Sequence, residues 1–526
     1  MAQVLLVDLI EKIKTIMENY KDDKELKILH QRKIDQAAAG SPEAKNYVKE
    51  EILKICLKDL SSQIGEYNID DLISQYYINY YQNIYGDDEN DPFCKLFEHM
   101  VLSKDDDYEK KLDRFVQIIY QELYGLGVID ELCEGHIDET GVNGKDYIWV
   151  QVGGLKRQVK RLRFQSNDAL QKKVSTAISF DSKNDITASE PIVYCQRMNG
   201  SRVTAVIPPV AKYPILNIRH FHLANVTKHD LVDKATLTDM AVRFIELVFQ
   251  GRPNFLIIGQ QGSGKSTLLR VLLNEVSDAI GIGTIENMFE LNLDDYYPSK
   301  NVISLQSTEK FPADKLFELM LRQNRDIILL GEIRSSNEAV ETINAMLRQC
   351  RGSAATFHSS SPTRAVHDLR NLCMRSSQYK DFLTAQFDVA DAIDLILEGR
   401  LDYQTGKRYI NRISVVEADD TEYKFEVKDI FKYDHARKEL MPVQCISDQF
   451  MEKLLDYGMP IENIQKIKDL FKEGIKNLAK EEKEDKVEID SIEEVNKEEE
   501  TRPKAEEPDI KENKTKDTKI KKKRKA

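Results

Sequence analysis

The sequence predicts an α/β protein whose larger domain contains a mostly parallel sheet. A glycine-rich segment, Gly259–Ser266, follows the apolar run Phe255–Ile258 and precedes the leucine-rich run Thr267–Leu273. This is the strand, loop and helix order of a phosphate-binding loop. Between residues 226 and 400, further apolar runs alternate with helical segments, as expected when helices connect parallel strands. These runs predict strands at Ala279–Glu286, Asp326–Glu332 and Ser353–His358.

The regions on either side of this domain differ from it in composition. Residues 1–120 contain many Glu and Lys residues and few glycines, which predicts a helical N-terminal region. In residues 121–225, glycines interrupt short runs, and Asp146–Val152 predicts a strand that turns at Gly153 and Gly154. This pattern indicates a smaller α+β domain. The phosphate-loop domain is expected to span residues 226–475, with two more strands at Ala392–Gly399 and Arg408–Val416 and a helical segment at Asp448–Phe471.

The last segment, residues 476–526, is predicted to be disordered. It is rich in Lys and Glu, and no aromatic residue follows Phe471, so it has too little apolar surface to form a core. Its basic end, Lys521–Lys525, can touch acidic lipid or nucleic acid, although a solvated tail is the favoured interpretation.

Composition narrows the classes of function. The chain has 526 residues, of which 41% are hydrophobic and 31% charged, and this suits a soluble protein of several domains. The formal net charge of −13 argues against nucleic acid as a partner bound through bulk electrostatics. The 7 cysteines are scattered without a Cys-x-x-Cys pair, so neither a zinc ribbon nor a disulfide framework is expected.

The sequence also bears on location. Its apolar runs are shorter than the roughly 18 residues of a transmembrane helix. Met1–Met17 includes Asp8, Glu11 and Lys12 and does not resemble a signal peptide. We therefore expect a cytoplasmic protein without a transmembrane segment of its own, which reaches a membrane through partners.

The glycine-rich loop predicts an ATP and Mg²⁺ site. Glycines let the backbone curl so that successive N–H groups face one anion, and the following helix N-terminus adds partial positive charge. Lys265 is expected to reach the β- and γ-phosphates, and the hydroxyl of Ser266 to bind Mg²⁺. The alternative is a glycine-rich turn that binds nothing. The predicted nucleotide-binding residues are Gly259, Gln260, Gln261, Gly262, Ser263, Gly264, Lys265, Ser266 and Thr267.

A second strand ends in an acid. The apolar residues Ile327–Leu330 lead to Glu332, and a carboxylate at the carboxyl end of such a strand faces the crevice in which ligands bind. Gly331 occupies the place of the acid that often precedes this glutamate. Glu332 is therefore our candidate for polarising water and a second candidate Mg²⁺ ligand. The alternative is that Glu332 only tethers Arg334.

Three further residues are candidates for the same site. Glu286 and Glu290 lie four residues apart and can face one site if a turn or helix begins there. His358 ends a predicted strand and can donate to a phosphate oxygen, although a single histidine is more often structural.

These four segments, in this order, resemble the secretion-superfamily ATPases of type II and type IV secretion systems and type IV pili. In that family a phosphate loop is followed by an acidic box, a strand that ends in Gly-Glu, and a histidine box. The resemblance covers residues 120–470 and looks closest to the tight-adherence (Flp) pilus assembly ATPases, with the conjugation-type ATPases next. The matching segments are Thr284–Leu291, Leu329–Arg334 and Gly352–Pro362, with Asn143-Gly144, Asn199–Val203, Ile207–Val210 and Ile218-Arg219 upstream.

The chain also departs from the family pattern. Asn287 stands where the family usually has Asp, and Gln323–Arg325 replaces Met-Arg-Pro. Gln349-Cys350-Arg351-Gly352 replaces the usual Gly-His-Asp-Gly, so one expected histidine is missing. These changes leave the phosphate-binding residues in place and put the turnover rate in question.

The resemblance implies a RecA-like motor domain, a homo-hexameric ring and ATP hydrolysis that drives pilus assembly or protein export. The ring would lie at the inner face of the cell membrane against a platform protein. It also implies that arginines of the upstream domain complete the nucleotide site, and Arg197, Arg202 and Arg219 are the matching candidates. Two other functions remain open: a conjugation-type secretion ATPase, and a nucleotide-binding scaffold that barely hydrolyses ATP.

Overall fold

The computed structural model describes residues 2–19, 24–58, 69–80, 106–133, 137–160, 162–179, 185–220, 226–348, 350–419 and 423–476. The chain divides into two compact units, Met1–Lys468 and Asp469–Ala526. In the second unit the described residues are 469–476, which are helical. Most of the tail predicted to be disordered lies outside the described residues.

The N-terminal region is helical, as the sequence predicts. The helix Tyr108–Leu123 shows how these helices pack: Leu112, Phe115 and Ile119 recur on one face and are buried, the spacing of an amphipathic helix. Asp107 begins this helix by accepting a hydrogen bond from the amide of Lys110 at 2.9 Å. The other helices are Ala2–Asn19, Lys24–Ala38, Pro42–Lys58 and Ile69–Tyr80.

An antiparallel sheet of six strands follows, in the order β3-β2-β1-β6-β5-β4. The predicted turn at Gly153 and Gly154 joins β2 to β3, and both glycines have positive φ. The helix Asn167–Ile178 packs on β4 and β5. One hydrophobic core joins this sheet to the N-terminal helices, and the predicted boundary at residue 120 stays a prediction. The strands are β1 Glu139–Asn143, β2 Ile148–Val152, β3 Leu155–Gln158, β4 Ile192–Gln196, β5 Arg202–Val206 and β6 Ile215–Arg219.

A sheet of nine strands forms the larger part, in the order β15-β14-β13-β12-β7-β11-β10-β8-β9. The strands from β12 to β9 in this order run parallel, whereas β13, β14 and β15 continue antiparallel. The strands are β7 Phe255–Gly259, β8 Ile282–Glu286, β9 Val302–Gln306, β10 Ile327–Ile333, β11 Ala354–Phe357, β12 Leu395–Leu401, β13 Arg408–Asp419, β14 Lys424–Asp434 and β15 Glu439–Pro442.

Helices connect the parallel strands. The predicted α/β class, with a RecA-like motor sheet after a smaller α+β part and a helical N-terminal region, is confirmed. The helices are Lys228–Asp233, Asp239–Phe249, Lys265–Leu273, Leu293–Tyr296, Ala313–Arg322, Ser336–Arg348, Pro362–Met374, Phe382–Ala392 and Asp448–Asp456, and residues 462–468 are also helical.

Several strand predictions need correction. β8 begins at Ile282 rather than Ala279, because a turn in which the amide of Ile280 donates to Ser277 precedes it. β12 begins at Leu395 because the preceding helix ends at Ala392. The sequence did not predict β9, β14 or β15, and β9 is only half-buried, so its hydrophobic signal is weak.

The order of the strands positions the site. β7, which precedes the glycine-rich loop, lies between β12 and β11, and β10 lies on the other side of β11. Because these strands are parallel, their carboxyl ends meet at one edge of the sheet, where ligands bind in such folds. No helix among the described residues has the length and apolarity of a membrane span.

Candidate nucleotide-binding site

All three glycines of the glycine-rich loop have positive φ. Gly259 has a φ of 145°, and a Cβ there would lie 2.2 Å from the carbonyl oxygen of Gly399 on β12. Gly264 has a φ of 87° and directly precedes the helix Lys265–Leu273. L-side chains are strained in such conformations. The sequence therefore fixes a tight loop at the N-terminus of a 9-residue helix, which is a geometry that binds phosphate.

Lys265 folds back over this loop. Its Nζ donates to the carbonyl oxygens of Gly259 and Gln260, each at 3.2 Å. Burial, together with the positive charge of Arg219, lowers the pKa of Lys265 to about 8. A phosphate at this position would favour the charged amine again. The other predicted loop residues, Gln261, Gly262, Ser263 and Thr267, lie in the same loop and first helical turn.

Ser266 faces an acid of the segment that follows β8. Its hydroxyl donates to Glu290 Oε2 at 2.9 Å, and Glu290 Oε1 forms an ion pair with Arg202. Arg219 Nη1 lies 3.9 Å from the same oxygen. Burial raises the pKa of Glu290, but the two arginines and the Ser266 hydroxyl outweigh it and hold the pKa below its ordinary value. The structure thus brings two arginines of the smaller sheet to the phosphate loop through one ionised carboxylate.

Glu286 holds the turn that carries Glu290. Its Oε2 accepts the amides of Glu290 at 2.8 Å and Leu291 at 3.0 Å. Glu286 is buried, and burial raises its pKa above the ordinary value. Gly331 on β10 leaves room for it, since a Cβ at residue 331 would lie 2.9 Å from Glu286 Cγ. The geometry shows Glu286 positioning this turn, and the catalytic role expected from the sequence stays a prediction.

Glu332 lies at the end of β10 between two basic side chains. Arg334 binds its Oε2 through Nε at 2.8 Å and also through Nη2. The contact between Glu332 and Arg334, which the alternative interpretation of the sequence requires, is therefore present. His358 Nε2 lies 2.8 Å from Glu332 Oε1. Burial and Lys265 lower the pKa of His358 despite the opposing charge of Glu332. His358 is thus placed to share a hydrogen bond with the Glu332 carboxylate at the end of β10.

Arg197 does not join this group. It is buried, and its Nη2 donates to the carbonyl oxygen of Ala38 in the N-terminal region at 2.8 Å. The expectation that Arg197, Arg202 and Arg219 share one site is therefore corrected for a single chain: only Arg202 and Arg219 reach the phosphate loop. The backbone amide of Arg197 donates to the carbonyl oxygen of Ser201, and its side chain packs against the N-terminal region instead of the phosphate loop.

Arg408, a residue that sequence reasoning missed, also supports the loop. Arg408 on β13 donates from Nε to the carbonyl oxygen of Gly262 at 2.8 Å, and its Nη2 lies 3.5 Å from Asp138 of the smaller sheet. Gln260 donates to the carbonyl oxygen of Leu401 at 2.8 Å. Arg408 follows the loop by more than a hundred residues and belongs to no local motif, so only the pairing of the strands reveals it.

Two of the three departures from the family pattern, Asn287 and Cys350, lie in different places. Asn287 Nδ2 donates to Glu338 Oε1 at 3.4 Å, and Glu338 Oε2 accepts the amide of Arg334 at 2.7 Å. An aspartate at residue 287 would place a second carboxylate against Glu338. Cys350, where the family has histidine, precedes β11 and lies near the carbonyl oxygen of Arg325 at 3.6 Å. It is at the opposite edge of the sheet from the phosphate loop.

The site fits a nucleotide with Mg²⁺. Loop amides, Lys265 and the helix N-terminus suit phosphate, and the hydroxyl of Ser266 beside Glu290 supplies oxygen donors. No cluster of three His, Cys, Asp or Glu residues able to hold a metal occurs in the described ranges. Glu290, rather than the predicted Glu332, is the acid next to Ser266.

Comparison with known proteins identifies the family of this chain. A family model described as "Type II/IV secretion system protein" matches residues 122–428. The chain is 26% identical over 314 residues to a putative conjugal transfer protein of Mycobacterium tuberculosis, covering 57% of this chain and 87% of that protein. It is 28% identical over 299 residues to the type IV secretion system protein PtlH of Bordetella pertussis, covering 51% and 86%.

Solved structures of related proteins are also similar. The VirB11 ATPase from the Brucella suis type IV secretion system, in complex with sulphate, is 21% identical with a TM-score of 0.31, covering 54% of this chain and 94% of that one. The pilus retraction motor PilT with bound ADP is 15% identical with a TM-score of 0.42, covering 66% and 93%. The family model spans more than half of the chain, and the chain therefore belongs to the type II/IV secretion system ATPase family.

Proposed function

We propose that this protein is a Mg²⁺-dependent ATP hydrolase that powers transport across a cell envelope. The observation that carries the proposal is the convergence of Lys265, the Ser266–Glu290 pair and the Glu332–His358 pair at the carboxyl ends of β7, β8, β10 and β11. ATP with its metal would supply the reactive phosphoryl group. The chain would supply a phosphate grip, a hydroxyl for the metal and an acid to orient water.

Each residue has a distinct task in this proposal. Lys265 would pair with the β- and γ-phosphates, and Ser266, directed by Glu290, would face the metal. Glu332 would orient the attacking water, while Arg334 and His358 hold its carboxylate in place. With a proton on Nε2, His358 would be able to transfer this hydrogen bond from Glu332 to a phosphate oxygen.

Arg202 and Arg219 would connect hydrolysis to movement. Both belong to the smaller sheet, and both lie close to Glu290 beside the phosphate loop. An arginine that reaches the transferred phosphate can raise the rate by about 10³–10⁵. A displacement of the smaller sheet that carried these arginines from Glu290 to phosphate would therefore switch hydrolysis on.

The assembly and the transport task rest on the family resemblance. A homo-hexamer at the cytoplasmic face of the inner membrane, acting on a platform protein, is the proposed arrangement. We favour pilus assembly or protein export as the task of this assembly. The conjugation-type alternative draws support from the names of the M. tuberculosis and B. pertussis relatives.

A weakly hydrolysing scaffold is the alternative of another class. The sequence features that favour it are Asn287 and the missing histidine at residue 350. The geometry gives it little support, because Asn287 has a partner in Glu338 and Cys350 lies away from the phosphate loop.

The decisive experiment compares ATP turnover of the full chain with that of Glu332→Gln, with both sized in Mg²⁺-ATP. We expect turnover to fall by about 10²-fold or more in the variant, while both proteins assemble alike. Glu318→Gln is the matched control. This exposed glutamate lies on the helix Ala313–Arg322, which connects β9 to β10 of the same sheet, and its loss should leave turnover unchanged. An assembled parent that binds ATP without turnover would favour the scaffold.

A further inference from the structure

A polar cavity lies away from the nucleotide loop, between the N-terminal helices and the six-stranded sheet. Its volume is about 360 Å³, within the range of about 300–1,000 Å³ typical of small-molecule sites. Helix Pro42–Lys58 provides one wall with its first turns, and the sheet provides the opposite wall through Ser201 and Ile218. We call it the Arg197 cavity.

The cavity is positively charged. Lys45, Lys49 and Arg197 line it, whereas Asp130 is the one carboxylate among its lining residues. Lys45 Nζ lies 2.6 Å from Asp130 Oδ2. Burial raises the pKa of Asp130, but Lys45 and Arg197 outweigh it and hold the pKa below its ordinary value. Asp130 is thus ionised and balances Lys45, which leaves the charges of Arg197 and Lys49 uncompensated within the lining.

The side chain of Arg197 also indicates a ligand. It is only 8% exposed, and although Nη2 binds the carbonyl oxygen of Ala38, Nη1 is buried with no hydrogen-bond partner among the described residues. A buried guanidinium nitrogen without a partner is costly. The fold also makes space for this side chain, because a Cβ at Gly40 would lie 2.7 Å from Arg197 Nε. A planar guanidinium can bind phosphate oxygens in a bidentate manner.

The walls add further features of an anion site. The helix Pro42–Lys58 presents its N-terminal end to the cavity, where its partial positive charge favours an anion. Tyr120 and Leu126 supply apolar surface, which suits an organic group attached to the phosphate. His220 donates from Nε2 to Thr140 at 2.8 Å, because the Thr140 hydroxyl itself donates to the carbonyl oxygen of Leu132. This contact fixes the histidine against the sheet wall.

We propose that the Arg197 cavity binds a small phosphorylated metabolite through Arg197 and Lys49. The ligand would join the N-terminal helices to the sheet that also carries Arg202 and Arg219. Ser201 and Ile218 line the cavity, and their chain neighbours Arg202 and Arg219 reach Glu290 on the other side of the sheet. Because successive residues of a strand face opposite sides, one thin sheet separates the two sites. This second site does not depend on whether the first hydrolyses ATP.

The test uses the full chain with pyrophosphate as the probe, measured by calorimetry. A saturating non-hydrolysable ATP analogue occupies the phosphate loop, so that any remaining binding belongs to another site. We expect binding with a Kd below about 1 mM, and Arg197→Gln should weaken it by about tenfold or more. Lys49→Gln should also weaken it.

The matched control is Lys58→Gln. Lys58 lies on the same helix as Lys49, is exposed, and by the helical repeat points to the opposite face. The comparison of Lys49→Gln with Lys58→Gln keeps the test valid even if Arg197→Gln fails to fold. Equal affinities in these two variants would overturn the proposal. So would absence of pyrophosphate binding in the parent chain, or binding only when the ATP analogue is omitted.

Discussion

The two edges of the parallel sheet both carry charged side chains but use them differently. At the carboxyl edge, Glu332 and Glu290 keep 21% and 28% of their side-chain surface exposed. At the amino edge, Asp394 keeps 1%. The first group has partners that a ligand can replace, whereas the second is enclosed. The difference indicates that the carboxyl edge is built to exchange partners and the amino edge to hold them.

The amino edge gathers its charges just before three parallel strands. Asp394 Oδ2 accepts the amide of Asn254 at 2.7 Å and Arg351 Nη2 at 2.6 Å, and Lys453 Nζ lies 2.9 Å from Asp394 Oδ1. Asn254 in turn donates to the carbonyl oxygens of Met346 and Ala392. This network ties β7, β11 and β12 together. It also accounts for Arg351, which stands where the family commonly has aspartate: in this chain it pairs with a buried acid.

The largest effect is expected from Asp394→Ala. Removing this carboxylate leaves Arg351 and Lys453 without their buried partner, which should lower the free energy of unfolding by about 3–5 kcal/mol. Denaturant unfolding of the full chain measures it. Asp391→Ala is the control, because Asp391 lies 3.6 Å from the same lysine but is 47% exposed, and its loss should cost less than about 1 kcal/mol. Similar losses for both would show that the amino edge is not the structural one.

Glu290→Gln should have the opposite profile. Glu290 directs the Ser266 hydroxyl and holds Arg202, so we expect turnover to fall by about tenfold to a hundredfold. The free energy of unfolding should change by less than about 1 kcal/mol, because the pair is partly exposed. Steady-state kinetics at varied Mg²⁺ concentration, together with unfolding curves, separate the two effects. A variant that unfolds early but retains its turnover would place Glu290 with the structural charges.

The smallest effect concerns pH and Lys265, whose pKa is about 8. Above about pH 8, affinity for a non-hydrolysable ATP analogue should fall by up to about tenfold per pH unit, because the neutral amine loses its attraction for phosphate. Stability should move the other way. The folded-state pKa is below the ordinary 10.5, so the unfolded chain binds more protons and the contribution of Lys265 to stability rises between these values. Lys265→Arg, which stays charged, should remove the pH dependence. Affinity in the parent that is constant from about pH 7 to pH 9.5 would contradict this prediction.

Local motifs indicated which residues meet at the carboxyl edge, and the roles assigned to these residues stay predictions. Glu332 and His358 lie at the carboxyl ends of β10 and β11. Lys265 and Ser266 begin the helix that follows β7 and its loop, and the parallel arrangement of the strands brings them to the same end of the sheet. What the sequence could not predict depends on contacts between distant segments. Arg408 supports the loop through the pairing of β13 with β12, and the Asp394 network depends on four separate segments. Arg197 was misplaced because its direction depends on packing against the N-terminal helices.

The narrow space at Gly331 restricts the substitutions that evolution can introduce at this residue. Glu286 fills the volume that a side chain at residue 331 would need, and Glu286 in turn holds the amides of Glu290 and Leu291. The two positions are therefore constrained as a pair. Among relatives of this chain, a residue larger than glycine at position 331 should occur together with a residue shorter than glutamate at position 286. The second acid often found before Glu332 would then exclude Glu286 from its present place.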